Sequence, residues 1–159
     1  MSQIELSFED LMQEMIQEIQ KHKLVVLATS DGESVTARTV LRISDGLNLF
    51  CFTGNYTRKY KQMMANPNVA IAAGNLQIEG GASLKGHPLD EENTAFIKAY
   101  KKTRPDAYER SSRVHFHRKN VRVIEIAPQR IALYTGMDEA SGSESHIDIL
   151  NIAARAHKA

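Results

Sequence analysis

Residues 38–59 read RTVLRISDGLNLFCFTGNYTRK, and we expect this segment to decide the fold. It contains two β-rich runs, which a tight turn at Ser44-Asp45-Gly46 joins, followed by a helix start at Thr57-Arg58-Lys59. Strands joined by so short a turn are antiparallel, because a parallel crossover needs a dozen or more residues. The segment therefore predicts a hairpin whose second strand leads into a helix.

The remaining sequence continues this pattern of short strands and helices. Apolar residues spaced three and four apart predict a helix over about 7–22, and a buried strand over 24–29 follows it. Further expected strands cover 34–43, 47–53, 69–73, 76–85, 120–127 and 130–134, and further expected helices cover 56–65, 90–103 and about 147–157. Gly80-Gly81 predicts a bulge or a close backbone approach within its strand. Residues 106–119 show no clear pattern.

The order of these elements favours an antiparallel barrel over a parallel sheet. The tight turns at 30–32, 44–46 and 74–75 are too short for parallel crossovers. Six or seven strands in hairpin order, with helices inserted after the third and fifth, predict a mainly β fold, which is a small closed or split β-barrel with peripheral helices. We expect one domain over 1–159, with the barrel over about 24–136.

Composition excludes several classes of protein. With 42% hydrophobic and 25% charged residues in a chain of 159, wholesale disorder is excluded. The net charge of +1 and the 6% of aromatic residues give no support to nucleic-acid binding. Cys51 is the single cysteine, which rules out an internal disulfide, and its apolar strand predicts a small buried residue. No signal peptide or membrane span is recognisable, so we expect a cytoplasmic protein without a membrane partner.

Basic residues in the opening segment predict a phosphate-binding site. On a strand, Arg38 and Arg42 share one face and flank Val40. A guanidinium is a planar fork that suits bidentate contact with phosphate. The helix start at Thr57-Arg58-Lys59 adds a hydroxyl, two cations and free backbone N–H groups. The alternative is a solvated basic patch.

Together with later motifs, these residues resemble the FMN-binding core of the pyridoxamine 5′-phosphate oxidase-like family. The matching motifs are Arg38-Thr39-Val40-Leu41-Arg42, Phe52-Thr53, Thr57-Arg58-Lys59, Asn66-Pro67, and Gln77 ahead of Glu79-Gly80. Their order and spacing agree with the family over residues 38–80. The oxidases carry Lys at the position of Arg42 and Ser at that of Thr57, so the positive charge and the hydroxyl are both retained.

The resemblance implies a split β-barrel of the Greek-key type that forms a homodimer, with FMN at the subunit interface. It implies that Arg38, Arg58 and Lys59 bind the FMN phosphate with help from Thr57. It also places the flavin ring beside the backbone of Val40 and Leu41 and beside Thr53, with Gln77 at its polar edge. The implied FMN-binding residues are Arg38, Thr39, Val40, Leu41, Arg42, Phe52, Thr53, Thr57, Arg58, Lys59 and Gln77.

On the substrate side the resemblance is partial. Tyr100 and Arg104-Pro105 match the Tyr-x-x-x-Arg-Pro motif with which the oxidases bind the substrate phosphate. On a helix the two side chains share a face, so they can grip one anion together. The alternative is a helix end where Tyr100 packs and Arg104 extends into solvent. The oxidases' Arg-Leu-His ending is absent, as are the Trp and Gln-Ser residues that complete the FMN site from the second subunit.

Two histidines provide a further candidate. If residues 113–117 form a strand, His115 and His117 share one face with Arg113. A metal site would need a third ligand, from His87 or His146, and we expect no metal site. We expect Arg113 or His115 to line the partner's FMN pocket, with a polar interface segment as the alternative.

The combined features predict an FMN-dependent oxidoreductase that acts on an unidentified small molecule, such as a vitamin B6 vitamer, a quinone or a second flavin. The alternatives are a true pyridoxamine 5′-phosphate oxidase and a non-catalytic FMN-binding protein that serves as a sensor or store. No residue is identified as catalytic, because simple hydride transfer by FMN needs no acid or base from a side chain.

Overall fold

The computed structural model describes residues 7–136 and 146–152. Its helices are α1 (Phe8–Gln20), α2 (Arg58–Ala65), α3 (Thr94–Thr103) and α4 (Pro105–Val114), with a short 3₁₀ helix at Glu91–Asn93 before α3. Its strands are β1 (Leu24–Ser30), β2 (Val35–Leu41), β3 (Ile43–Asp45), β4 (Asn48–Gly54), β5 (Asn68–Ala73), β6 (Leu76–Leu84), β7 (Val121–Thr135) and β8 (His146–Asn151). Among these residues, no helix has the length and hydrophobicity needed to cross a membrane.

The strands form one antiparallel sheet that curls into a half-barrel. Its order is β2-β1-β5-β6-β7-β4-β3, and β8 adds to β7. β2 and β3 follow each other in the chain with only Arg42 between them, yet they lie at opposite ends of this order. The sheet must therefore curl until its two ends meet. The predicted mainly β, split-barrel fold is confirmed.

Arg42 marks the point at which the chain changes from one end of the sheet to the other. Its guanidinium is buried and donates hydrogen bonds to the carbonyl oxygens of His22 (2.6 Å) and Gln20 (3.3 Å) and to Ser44 Oγ (2.6 Å). It thereby binds the carbonyl end of α1, whose last turn contains no basic residue of its own. The predicted continuous strand over 34–43 is wrong, because Arg42 separates β2 from β3.

Two hydrophobic clusters flank the sheet. Strand alternation sends Leu27, Ile71 and Ile78 to the concave side, where α1 also packs. Burying each such side chain stabilises the fold by roughly 1.5–3 kcal/mol. A second, largely aromatic cluster lies between the sheet and α3–α4 and contains Phe96 and Phe116. This second cluster fixes α3 and α4 against β3 and β4.

β7 runs through a proline that was expected to separate two strands. It spans Val121–Thr135, and its register against β6 shifts between Glu79 and Gly80. Gly80 pairs with Pro128, and Glu79 pairs with Arg130, so Gln129 is an extra residue at a bulge. A proline is tolerated at a bulge, where the regular ladder of N–H donors is interrupted. The predicted break at 128–129 is wrong, while the predicted bulge at Gly80 is confirmed.

α4 occupies residues that showed no clear pattern. Arg104 ends α3 as expected, but Pro105 is then the first residue of a new helix, a position that suits its fixed φ angle. His115 is the C-cap of α4, and His117 follows it in a turn. The strand expected over 113–117 is therefore wrong.

β8 replaces the first part of the expected C-terminal helix. His146–Asn151 pairs with the outer half of β7, placing Leu150 opposite Ile131 in the core, while Ile149 remains half-exposed on the convex side. This pairing satisfies backbone groups along β7, so tertiary context overrides a weak helical pattern. The helix expected over about 147–157 is wrong for 147–151, and residues 153–157 lie outside the described part of the chain.

We expect Gly80→Ala to destabilise the protein by roughly 1–3 kcal/mol, because its added Cβ would require displacement of a packed backbone. A Cβ at Gly80 would lie 2.8 Å from the carbonyl oxygen of Ala127. The matched control is Gly81→Ala, whose Cβ would meet only Gln129 Nε2 at 3.6 Å, an ordinary contact. Urea unfolding measures both free energies, and equal stabilities for the two variants would contradict the close approach.

Candidate functional site

The split in the half-barrel opens a cavity between β2 and β4. These strands pair with β1 and with β3 and β7, respectively, but not with each other. The cavity has a volume of about 330 Å³ and is closed on its far side by α3 and α4. Its lining residues are Val40, Leu41, Ile43, Cys51, Phe52, Tyr100, Ala107, Arg110, Ser111 and His115.

The cavity has an apolar wall and a polar wall. Strand residues, among them Val40 and Phe52, form the apolar wall. The polar wall is mainly one face of α4, where Ala107, Arg110, Ser111 and the C-cap His115 recur at intervals of three and four residues. Such a combination of apolar surface and a few polar groups is typical of a small-molecule site.

A second cavity of about 210 Å³ lies next to the first, at the start of α2. Phe52 and His115 line both cavities, and their rings lie 6.0 Å apart between centroids. Thr53 and Thr57 also line the second cavity. The two spaces therefore adjoin along the Phe52–His115 pair.

The hydroxyls of Thr53 and Thr57 meet at this helix start. Thr57 Oγ1 donates to the carbonyl oxygen of Gly54 (2.9 Å) and accepts from the backbone N–H of Tyr60 (3.4 Å), so it is the N-cap of α2. Thr53 Oγ1 lies 3.0 Å from Thr57 Oγ1 and supplies the proton of that bond, since Thr57 uses its own on Gly54. The first N–H groups of α2, those of Arg58 and Lys59, have no partner within the helix.

Arg38, Arg58 and Lys59 bring positive charge to the same end of the split. Arg38 projects into the barrel and donates to the carbonyl oxygen of Leu27 (3.1 Å) and to Thr29 Oγ1 (2.7 Å). Burial lowers the pKa of Arg38, and the nearby charge of Arg58 lowers that pKa further. Within residues 7–136 and 146–152, none of the ion pairs involves any of these three cations. Together they form an electropositive end without a carboxylate partner in contact.

Three of the residues expected at the FMN site lie elsewhere in this chain. Arg42 is bound to the end of α1, and its hydrogen bonds are structural. Thr39 and Gln77 are exposed on the convex side, whereas Arg38 faces the concave side. Thr39 and Gln77 are separated by β1 and β5, a lateral distance of about 14 Å at the usual strand spacing. A single chain therefore does not bring Gln77 to Arg38.

The substrate-side residues do not form the expected anion grip. Tyr100 lines the larger cavity, but it is 1% exposed and its hydroxyl is hydrogen-bonded to Ser111 Oγ at 2.8 Å. Burial raises the pKa of Tyr100. Arg104 caps α3, donates to the carbonyl oxygen of Thr103 and does not line the cavity. Arg113 is exposed and also lies outside the cavity, so of these candidates only Tyr100 and His115 reach it.

The histidines are not arranged as a metal site in the described residues, which contain no cluster of three potential ligands. His87 is fully engaged, because its Nδ1 accepts from the N–H of Leu89 and its Nε2 contacts the carbonyl oxygen of Arg118 at 3.0 Å. That pattern fixes the tautomer with the proton on Nε2. His87 is therefore occupied by loop contacts.

Sequence reasoning missed Arg110 and Ser111, because residues 106–119 were not recognised as a helix. The signal was present as Ala107, Arg110, Ser111 and His115, which follow the spacing of one helical face. The helix was missed because Pro105 was interpreted only as the end of the preceding helix, α3.

Comparison with known proteins places this geometry in context. The family model for pyridoxamine 5′-phosphate oxidase matches residues 11–135. No curated protein matches the chain. Similar solved structures include a candidate pyridoxamine 5′-phosphate oxidase from Listeria innocua, with 23% identity and a TM-score of 0.57 over 76% of this chain and 95% of that one.

Other similar structures carry different names. General stress protein 26 from Bacillus anthracis is 20% identical, with a TM-score of 0.57 over 75% of this chain and 90% of that one. A heme storage protein from Vibrio cholerae is 16% identical, with a TM-score of 0.56 over 74% and 89% of the respective chains. At these identities the likeness shows a shared fold.

We expect the thiol of Cys51 to be unreactive in the folded protein at neutral pH. The side chain is buried, and burial raises the pKa of its thiol from 9.0 to about 11. Since the thiolate is the reactive form, about one molecule per thousand would carry it at pH 8. Reaction with Ellman's reagent should be slow at pH 8 and accelerate as pH approaches about 11.

The same shift predicts the direction of pH-dependent stability. The folded protein holds the Cys51 proton more tightly than the unfolded chain, so this contribution to stability is fully present below pH 9.0 and is lost as pH rises toward about 11.

The control for the reaction with Ellman's reagent is the chain unfolded in guanidinium, which should react completely at pH 8. Equal rates for the folded and unfolded chains would contradict the burial of a neutral thiol.

Proposed function

Because the chain belongs to the pyridoxamine 5′-phosphate oxidase-like family, we propose that it is an FMN-dependent oxidoreductase that works as a homodimer on a small conjugated molecule. One observation carries the proposal: an electropositive end with a free helix N-terminus adjoins the apolar wall of the cavity in the split of the half-barrel. A phosphate at one end and a planar ring at the other would match these two environments. When bound, FMN would supply the hydride and electron chemistry.

The phosphate would be held by Arg58, Lys59 and the N–H groups at the start of α2. Charge-assisted hydrogen bonds of this kind are roughly twice as strong as neutral ones, and a helix N-terminus adds its positive dipole end. Arg38 would contribute charge from inside the barrel while remaining bound to Leu27 and Thr29. Thr57 would remain the cap that keeps these N–H groups in place.

The flavin ring would lie against the strand wall of the larger cavity. Val40, Leu41 and Phe52 provide apolar contact there, and Cys51 adds a thiol that stays neutral. Among the described residues, no Asp or Glu lines this cavity, so none of them opposes a reduced, anionic flavin with a negative charge. The residues present thus suit the ring as well as the phosphate.

A homodimer would cover the convex side of the sheet. Leu24, Val26 and Val35 are 56%, 39% and 72% exposed there. Ala72 and Gln77 extend the same face across β5 and β6. Because Gln77 does not reach Arg38 in its own chain, we propose that it contributes to the FMN site of the other subunit.

Oxidation of pyridoxamine 5′-phosphate is the alternative activity that Tyr100 favours, because this residue lines the cavity. The position of Arg104 does not support this activity, since Arg104 contacts Thr103 and lies outside the cavity. An oxygen-dependent assay for pyridoxal phosphate formation by FMN-loaded protein decides between the two activities. If the bound flavin accepts no electrons from nicotinamide donors and passes none to acceptors, the non-catalytic FMN-binding alternative is supported.

We expect the double substitution of Arg58 and Lys59 by Ala to raise the FMN dissociation constant by roughly a hundredfold or more. The reason is the loss of two hydrogen bonds to a dianion, each worth about 1.5–3 kcal/mol. The matched control replaces Lys98 and Lys102, which are exposed and carry the same total charge. Quenching of FMN fluorescence measures the affinity, and circular dichroism checks the fold.

Unchanged FMN stoichiometry in the Arg58 and Lys59 variant would contradict the phosphate assignment. The visible spectrum of the purified wild-type protein provides an independent test. A heme spectrum in place of a flavin spectrum would overturn the cofactor proposal, because structural neighbours include proteins described as storing or binding heme.

We expect Val26→Lys to convert a dimer into a monomer in light scattering, because it places a charge in the middle of the proposed interface. Leu89→Lys is the matched control, since Leu89 is 64% exposed but lies outside the sheet. A dimer that persists in Val26→Lys, or a wild-type monomer loaded with FMN, would contradict the shared-site proposal.

A further inference from the structure

The polar wall of the larger cavity has a chemical character of its own. α4 supplies Arg110, Ser111 and His115 on the side opposite Val40 and Cys51. Ser111 is hydrogen-bonded to Tyr100, with a distance of 2.8 Å between their hydroxyl oxygens. Arg110 and His115 are therefore the groups through which this wall can recognise a ligand.

Arg110 carries an unneutralised charge at this wall. Within the described ranges 7–136 and 146–152, none of the ion pairs includes Arg110, and its side chain is exposed. Arg110 and Tyr100 line the same cavity, and the positive charge of Arg110 opposes the rise in the pKa of Tyr100 that burial causes. Because none of the described lining residues is a carboxylate, the wall favours an anion and disfavours a cation.

His115 complements this charge. Its ring lies 6.0 Å from that of Phe52 between centroids and borders both cavities. An imidazole can donate or accept a hydrogen bond, so it suits a carbonyl or carboxylate oxygen on a ring that packs beside Phe52. A planar ring with one anionic substituent would lie between a flavin on the strand wall and α4, where the guanidinium and the imidazole would bind its anionic group.

We propose that the second ligand of this cavity is an aromatic, planar anion of the carboxylate type, and that Arg110 determines its specificity through charge while His115 hydrogen-bonds its oxygen. This inference rests on the proposed function only where it makes the ligand the reaction partner of the flavin. The binding of the ligand itself depends on the α4 wall. Arg110 and His115 thereby replace the pair Tyr100 and Arg104 that the sequence suggested.

The test compares two probes that differ in charge, 2-naphthoate and the neutral 2-naphthamide. Isothermal titration calorimetry on the wild-type protein should show tighter binding of 2-naphthoate. Arg110→Gln should weaken 2-naphthoate by roughly tenfold or more, because a charge-assisted contact is lost, and leave 2-naphthamide almost unchanged. His115→Phe should weaken both probes, because both present an oxygen to the imidazole.

Arg113→Gln is the matched control, since Arg113 belongs to the same helix, is exposed and does not line the cavity. Equal affinity of wild type and Arg110→Gln for 2-naphthoate would overturn the proposal. An equal loss in Arg113→Gln, or no 2-naphthoate binding to the wild type, would also overturn it.

Each titration is accompanied by a measurement of bound FMN, which separates this inference from the proposed function. If the protein retains no FMN, the proposed function fails, while Arg110-dependent binding of 2-naphthoate would still support the anion site. If FMN is retained and 2-naphthoate binding does not depend on Arg110, the anion site fails alone.

Discussion

The fold depends on a covalent constraint at Arg42, the single residue between the two ends of the sheet order. β2 and β3 cannot be neighbours in the chain and lie at opposite ends of one sheet unless that sheet bends round. The guanidinium of Arg42 fixes this bend to the end of α1 by hydrogen bonds to two carbonyl oxygens. Burial lowers the pKa of Arg42, and the several acceptors around it offset the cost of burying its charge.

The split follows directly from this constraint. Because β2 and β4 face each other without pairing, their edges leave room for a cavity instead of a ladder of hydrogen bonds. α3 and α4 close that cavity from one side, and the aromatic cluster around Phe96 and Phe116 sets their distance from the sheet. The curling of the sheet thus positions both the electropositive end and the apolar wall, which is why they lie side by side.

Local sequence patterns predicted the parts of the fold that depend on local chemistry. Alternation and tight turns specify β1, β4 and β5, and the helix start expected at Thr57-Arg58-Lys59 is the start of α2, with Thr57 as its cap. The errors arose where tertiary contacts decide. Pro128 is tolerated because it lies at the bulge opposite Gly80, and β8 is a strand because β7 offers an unpaired edge.

The candidate site, like the fold, could be predicted from the sequence only in part. Val40, Leu41, Phe52, Thr53 and Thr57, which the family resemblance singled out, line the two cavities. Arg42 shows why the pattern was insufficient: alternation assigns it to the face of Arg38, but the strand has already ended there. Arg110 was missed because Pro105 was interpreted as an ending, although proline is equally suited to the first turn of a helix.

β7 has a further consequence for how the chain reaches its fold. One of its edges pairs with β6, while the other pairs first with β4 and then with β8. Leu49 of β4 must find Ile126 of β7 across a long intervening sequence, and such distant pairings are slow to form. During synthesis, β4 and β6 would leave the ribosome with open edges and wait for β7 to arrive. The half-barrel is therefore completed late, and its nascent chain carries unpaired strands that are prone to association until then.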